Sequence, residues 1–327
     1  MLAVLCPGQG SQTPGFLSPW LELEGVEERL ATFSEAAGTD LRSHGTVSDA
    51  ETIRDTAVAQ PLIVAASLVA LHALLGDRPA AGTVDVTAGH SVGEISAAAV
   101  AGVLTDRDAV SLVTRRAQAM AEAAALEPSG MSAVVGGDPA EVLAAIEAAG
   151  LHPANVNGGG QVVAAGDLEG LARLAQDPPA RARVIPLQVA GAFHTPYMQP
   201  AHRTFAPVAA SWSASPPTLA LLSDADGTVY GSGGTSAPAT GPAVLTRLAD
   251  QVVAPVRWDL CQATLLELGV TGVVELAPAG VLTGLARRTL PGVETVAVKS
   301  PTDLEAARDL VQRHSTGSAG TDQEAKA

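Results

Sequence analysis

The stretch Val84-Asp85-Val86-Thr87-Ala88-Gly89-His90-Ser91-Val92-Gly93-Glu94, continuing through Ile95–Ala101, constrains the fold more than any other part of the chain. Val84–Ala88 reads as a buried strand. It runs straight into Gly89-His90-Ser91-Val92-Gly93, which fits the G-x-S-x-G pattern of a sharp strand-to-helix turn with an exposed serine oxygen. Ile95–Ala101 is almost wholly small and apolar, so a helix there has to be enclosed on every side, and Gly102 suits its C-terminal end. A buried strand feeding an enclosed helix calls for a layered α/β domain with a parallel sheet.

The rest of the chain supports that frame. Leu2–Cys6 is a second buried strand, stopped by Pro7-Gly8. Pro61 is placed to open a buried helix that runs to Leu75, a stretch too short for a membrane span. Thr271–Leu276 reads as a later strand of the same sheet. Residues 129–191 have another rhythm. Strands are expected at Met131–Val135, His152–Val156, Gln161–Ala165 and Val184–Val189, with helices at Pro139–Ala149 and Leu168–Ala175. That order, β-α-β-β-α-β, is the ferredoxin-like unit. The expected organisation is therefore a discontinuous large domain, residues 1–128 and 192–314, of α/β-hydrolase-like character, with a small inserted subdomain at 129–191. Gly227–Pro242 reads as a mobile loop and 315–327 as a disordered tail.

Composition excludes several classes of function. With 327 residues and a net charge of −15, the chain lacks the basic surface a nucleic-acid binder needs. Aromatic content is 3%, so Ala, Val and Leu must build the core. The two cysteines, Cys6 and Cys261, have no metal-ligand spacing and read as buried thiols of a reducing compartment. No basic, apolar leader opens the sequence. A soluble cytoplasmic enzyme without a metal is expected.

Thr105-Asp106-Arg107-Asp108 carries a helix-start signature. Laid out at about 100° per residue, the helix to about Ala125 puts Ala109, Val113 and Met120 on one face with Arg116 among them. Arg115 falls on the opposite, solvated face. A buried guanidinium needs an anionic partner. Either an Asp or Glu of the protein supplies it, or a substrate carboxylate does. A nucleophilic Ser91 also needs a base. His90 is adjacent but poorly aimed, and His72 sits in an apolar helix as a core residue. His194 follows a strand in Gly191-Ala192-Phe193-His194-Thr195-Pro196, where catalytic loops gather. No acid stands between Ser91 and His194 in a characteristic motif, so a backbone carbonyl has to be considered as the group that orients the imidazole.

Taken in order, several segments resemble the malonyl-CoA:acyl carrier protein transacylase family of fatty-acid synthesis, with actinobacterial members most similar. They are Pro7-Gly8-Gln9-Gly10-Ser11-Gln12, Gln60-Pro61, Gly89-His90-Ser91-Val92-Gly93-Glu94, Arg116, Asn155-Val156-Asn157 with Gln161-Val162-Val163, Gly191-Ala192-Phe193-His194, and Gln251-Val252-Val253-Ala254-Pro255-Val256-Arg257-Trp258. The resemblance runs to about residue 314. It implies Ser91 as the acylated nucleophile, His194 as its base, and Gln251 as the residue whose backbone carbonyl orients the histidine. It implies an oxyanion hole from the N–H groups of Gln9 and Val92, and Arg116 as the seat of the malonyl carboxylate. Phe193, Gln60, Asn155 and Asn157 are implied as pocket residues, with Phe193 crowding a methylmalonyl methyl. The implied substrates are malonyl-CoA and acyl carrier protein, serving fatty-acid or polyketide synthesis, with no cofactor and a monomeric enzyme. Arg115, Arg173, Arg181 and Arg183 are candidates for carrier docking. The chain departs from the pattern at Ala277-Pro278-Ala279-Gly280, where glycines are usual, and in the length of the 227–242 loop.

Three rivals compete with this reading. A serine esterase or thioesterase would share Ser91 and His194 but leave Arg116 unexplained. A non-catalytic carrier-binding module would need neither. A phosphate loop at residues 7–14 lacks the Gly-Lys-Ser/Thr ending.

Overall fold

The computed structural model describes residues 1–231 and 240–317. Ten strands follow in chain order: β1 (Leu2–Cys6), β2 (Val86–Gly89), β3 (Ser129–Gly136), β4 (His152–Gly158), β5 (Gln161–Asp167), β6 (Ala182–Pro186), β7 (Ala220–Leu222), β8 (Val229–Tyr230), β9 (Gly272–Glu275) and β10 (Glu294–Ala297). They form a six-stranded sheet in the order β10-β9-β1-β2-β7-β8 and a four-stranded sheet in the order β4-β5-β3-β6. The large sheet is parallel except at β7–β8. The small sheet is antiparallel throughout, with a helix after β3 and another after β5, which is the ferredoxin-like arrangement.

Side chains alternate across β1 and so serve two cores. Leu2 and Val4 join one core with the helices Thr56–Leu75, Gly93–Val100 and Asp106–Ala124. Ala3 and Leu5 join the other with the helices Trp258–Glu267 and Val281–Thr289. The helices on both faces make β1 and β2 central strands. Their carboxyl ends, Cys6 and Gly89, lie side by side in register, the region where open α/β sheets bind ligands.

Five expectations need correcting. The helix ending at Leu75 begins at Thr56, not Pro61, because the Asp55 side chain accepts the Ala57 N–H and caps it earlier. Pro61 then lies inside the helix, where it removes one backbone donor. At 20 residues and mean hydropathy 2.0 this helix is long and apolar enough to span a membrane, yet most of it is buried inside the fold. His72 on it is partly exposed and hydrogen-bonded to Asp106 at 2.5 Å. The last strand of the small sheet is Ala182–Pro186, not Val184–Val189, since Pro186 ends the ladder with β3. Ser315 is buried and the Thr316 N–H donates to Asp85 at 3.3 Å, so 315–317 are tied to the fold. Of the expected loop and tail, 232–239 and 318–327 lie outside the described residues. Ala279 sits at φ 56, a conformation suited to glycine.

Candidate active site

The turn after β2 explains both glycines of its motif. A Cβ on Gly89 would lie 2.0 Å from the Gly93 carbonyl, and one on Gly93 would lie 2.1 Å from the Cys6 oxygen. Only hydrogen fits at either place, so the helix can start directly against β1 and β2. Ser91 takes φ 54 between them. Few non-glycine residues adopt that region. His194 is another, at φ 61.

The loop carrying His194 is pinned on both sides. The Ala192 N–H donates to Ser129 Oγ at 3.1 Å, and Thr195 Oγ1 donates to the Ala192 carbonyl at 2.6 Å. Gly191 lies against Ala124, where a Cβ would come within 2.7 Å. His194 thereby reaches Ser91, with Nε2 2.7 Å from Oγ. Its Nδ1 lies 3.0 Å from the Gln251 carbonyl. Since a carbonyl can only accept, Nδ1 carries the proton and Nε2 is left to accept from Ser91. Burial, and then the nearby Arg116 charge, push His194 down to about 3, so the imidazole is neutral.

Arg116 is 1% exposed. Its two short hydrogen bonds go to amides, not carboxylates: Nη1 donates to Gln60 Oε1 at 2.6 Å and Nη2 to Gln251 Oε1 at 2.9 Å. Nη2 also lies 3.4 Å from Ser91 Oγ. Burial lowers the guanidinium to about 10, and the fields of Asp224 and Glu94 act against that fall. Arg116 is a cation beside the serine, held by neutral groups. Arg115 is exposed, as its helical position requires.

Gln9, Gln60, Ser91, Val92, Asn155, Phe193 and His194 line one pocket. Gln9 follows β1 and Val92 precedes the helix Gly93–Val100, so both lie at adjacent strand ends and line the pocket with the serine. Asn157 is the exception among the expected pocket residues. It faces away, its Oδ1 2.8 Å from His90 Nε2 and its amide donating to Gln161. It bonds His90, which packs on Trp258 and lines the same pocket without a hydrogen bond to Ser91 among the described residues. Met131, Leu187 and Val189 line the pocket without having been singled out. Leu187 and Val189 carry the alternating pattern of a strand, but the chain leaves the sheet after Pro186 and turns them inward.

Two further residues escaped the sequence reading. Asp224 is fully buried, and its Oδ2 accepts the Ser91 N–H at 2.6 Å and the Gln251 side-chain amide at 3.1 Å. Glu94, also buried, accepts the Asp224 N–H at 2.9 Å. Glu94 closes the G-H-S-V-G-E motif and could have been found there. Asp224 stands in an ordinary-looking Ser223-Asp224-Ala225-Asp226-Gly227 turn.

A serine, a neutral imidazole, two N–H donors and an adjacent cation can form and hold an acyl-serine that bears a second, anionic group. Comparison with known proteins gives a family. Residues 4–301 match the acyl transferase domain family. A malonyl CoA-acyl carrier protein transacylase of Mycobacterium tuberculosis is 52% identical over 95% of this chain and 100% of its own. One from Escherichia coli is 34% identical over 94% of this chain and 99% of its own. The crystal structure of MCAT from Mycobacterium tuberculosis superposes with a TM-score of 0.88 at 52% identity, covering 94% of this chain and 99% of that one. A malonyl-transacylase in complex with a type II PKS acyl-carrier protein has a TM-score of 0.85 at 29% identity, over 94% and 99% of the two chains.

Proposed function

The chain belongs to the acyl transferase domain family, and on that premise we propose that it transfers the malonyl group of malonyl-CoA to the phosphopantetheine thiol of acyl carrier protein. The observation that carries this reading is Arg116, a buried guanidinium 3.4 Å from the nucleophile oxygen. A malonyl group esterified to Ser91 ends in a carboxylate two carbons further on, within reach of that guanidinium.

Ser91 Oγ attacks the thioester carbonyl while its proton passes to His194 Nε2. The Gln251 carbonyl holds the imidazolium that forms. The Gln9 and Val92 N–H groups stabilise the oxyanion, and the N-terminus of the helix after Ser91 adds partial positive charge. As the tetrahedral species collapses, the C–S bond breaks and His194 returns the proton to the coenzyme A thiolate. The carrier thiol repeats the sequence in reverse. A groove lined by Gln9, Ile53, Arg54, Leu187 and Val189 shares residues with the serine pocket and supports an approach for the pantetheine arm. Phe193 narrows the pocket beside the acyl group. A methylmalonyl group is disfavoured there by about 1–3 kcal/mol.

The product supplies fatty-acid synthesis, and the carrier complex of the 29%-identical neighbour supports polyketide synthesis as a further use. The site is complete within a single chain, which supports a monomer. Buried Cys6 and Cys261 are unpaired thiols, which supports the reducing cytoplasm.

Intact-protein mass after mixing with malonyl-CoA tests the reading. The chain gains the mass of one malonyl group, and holo carrier protein removes it as malonyl-carrier. Steady release of coenzyme A without an adduct would make the chain a hydrolase.

A pH prediction follows from His194. Its depressed value keeps it neutral, and so able to accept a proton, well below the usual histidine range. The kcat/KM for acylation should therefore fall less than about threefold between pH 8 and pH 5, where a base of pKa 6.5 would lose about 30-fold. A fall of the larger size would show that the imidazole is not shielded as described.

A further inference from the structure

Two carboxyl groups lie behind the serine turn, and the reaction just described leaves both unused. Asp224 Oδ2 joins three parts of the site. It accepts the Ser91 N–H and the Gln251 side-chain amide. Gln251 in turn holds Arg116 through Oε1 and His194 through its backbone carbonyl. The other oxygens, Asp224 Oδ1 and Glu94 Oε2, are buried without a protein donor. The Asp224 N–H donates to Glu94 Oε1 at 2.9 Å, which sets the two buried acids side by side. Like charges so placed disfavour ionising both, so the pair keeps one proton and a single negative charge. Burial raises both acids, and each feels the field of Arg116. The titratable neighbours Tyr230 and Cys261 are pushed up, mainly by burial, and stay neutral. Arg116 is thus the cation this pair faces.

We propose that Asp224, sharing a proton with Glu94, is a positioning residue that holds the Ser91 turn and the Gln251 bridge in register and supplies the resting counter-charge of Arg116. This rests on the malonyl-transfer reading. The Ser91 backbone is held at φ 54, and strained backbone persists only where surrounding contacts over-determine it. The Asp224–Ser91 hydrogen bond is one such contact. The charge has a second consequence. An incoming malonyl carboxylate competes with the pair for the field of one guanidinium, so the pair weakens substrate binding while it orders the machinery.

The two roles separate by mutation. Asp224→Ala removes the acceptor and should lower the single-turnover rate of Ser91 acylation about 100-fold, the loss expected from a misplacement near 1 Å. Asp224→Asn keeps an oxygen for the same two N–H groups and offers its own amide to Glu94, which then carries the charge. It should stay within about threefold of wild type. Asp224→Asn with Glu94→Gln keeps the hydrogen bonds but removes the charge. Its half-saturating malonyl-CoA concentration should fall at least about threefold, an improvement that loss of a merely structural contact would not give. All forms are assayed by rapid-quench acylation with malonyl-CoA, alongside thermal melting. The proposal is overturned if Asp224→Ala folds and acylates within threefold of wild type, if Asp224→Asn is as impaired as Asp224→Ala, or if the double variant binds malonyl-CoA no better. If Asp224→Ala does not fold, the other two variants decide. Failure of the wild type to acylate would instead overturn the functional reading.

Discussion

Ser91→Ala and His194→Ala each lower the rate of malonyl transfer to holo carrier protein by about 10⁴-fold or more, and the double variant is no slower than the slower single one. The expectation follows from a single hydrogen bond, the 2.7 Å contact between Ser91 Oγ and His194 Nε2. Without the oxygen there is nothing to acylate. Without the imidazole, the hydroxyl must lose its proton to water while a buried Arg116 repels any cation that could help. Groups that act as one unit do not add, so removing the second costs little more. The measurement is a time course of malonyl-carrier formation by intact mass, with thermal melting as the control for folding. Ser91→Ala keeps its turn, because the glycines and the Asp224 contact use backbone and not the hydroxyl. Multiplicative loss in the double variant would show that Ser91 and His194 work apart.

Ser91 and Arg116 were legible in the sequence for different reasons. Ser91 sits in a motif whose glycines both have a steric cause, Gly89 against Gly93 in the same turn and Gly93 against Cys6 at the end of β1. Arg116 was legible because helical periodicity is regular over the 19 residues from Asp106 to Ala124. What stayed open there was its partner, a protein acid or a substrate, and the structure answers with amides from Gln60 and Gln251. Gln251 and Asp224 lie 135 and 133 positions from the residues they touch. Contacts of that range depend on strand order, and β7 and β8 are too short, at three and two residues, to announce themselves by alternation. The large sheet was therefore readable at β1, β2 and β9 and silent at its β7–β8 edge. Pro61 misled because a proline within the second turn looks like a helix start, whereas the cap was Asp55. Asn157 was implied with Asn155 by the resemblance, but positions two apart share a face only on a regular strand, and the β4 register shifts between Val156 and Gly158.

Arg116→Ala should change which acyl group the enzyme accepts, not only how fast it works. In the wild type, an acetyl group enters without a carboxylate and gives the Arg116 guanidinium none of the pairing that malonyl supplies. A polar site rejects the analogue that cannot pair by far more than an apolar pocket rejects a missing methylene. Two hydrogen bonds to a charged group, each worth about 1.5–3 kcal/mol, put the loss for malonyl-CoA near 10³-fold in kcat/KM. Acetyl-CoA loses nothing of that kind, so the malonyl-to-acetyl ratio should fall by about the same factor. Arg116→Lys separates charge from shape. It keeps the cation but cannot serve Gln60, Gln251 and a carboxylate through one planar fork, so it should fall between wild type and alanine for malonyl-CoA while still rejecting acetyl-CoA. The comparison requires kcat/KM for both thioesters on all three proteins. An equal loss on malonyl-CoA and acetyl-CoA would mean that Arg116 supports the Ser91–His194 pair through Gln251 and contributes nothing to acyl choice. A selective loss on malonyl-CoA would mean that Arg116 chooses the acyl group, the field of its resting Asp224–Glu94 counter-charge being shared with the substrate carboxylate.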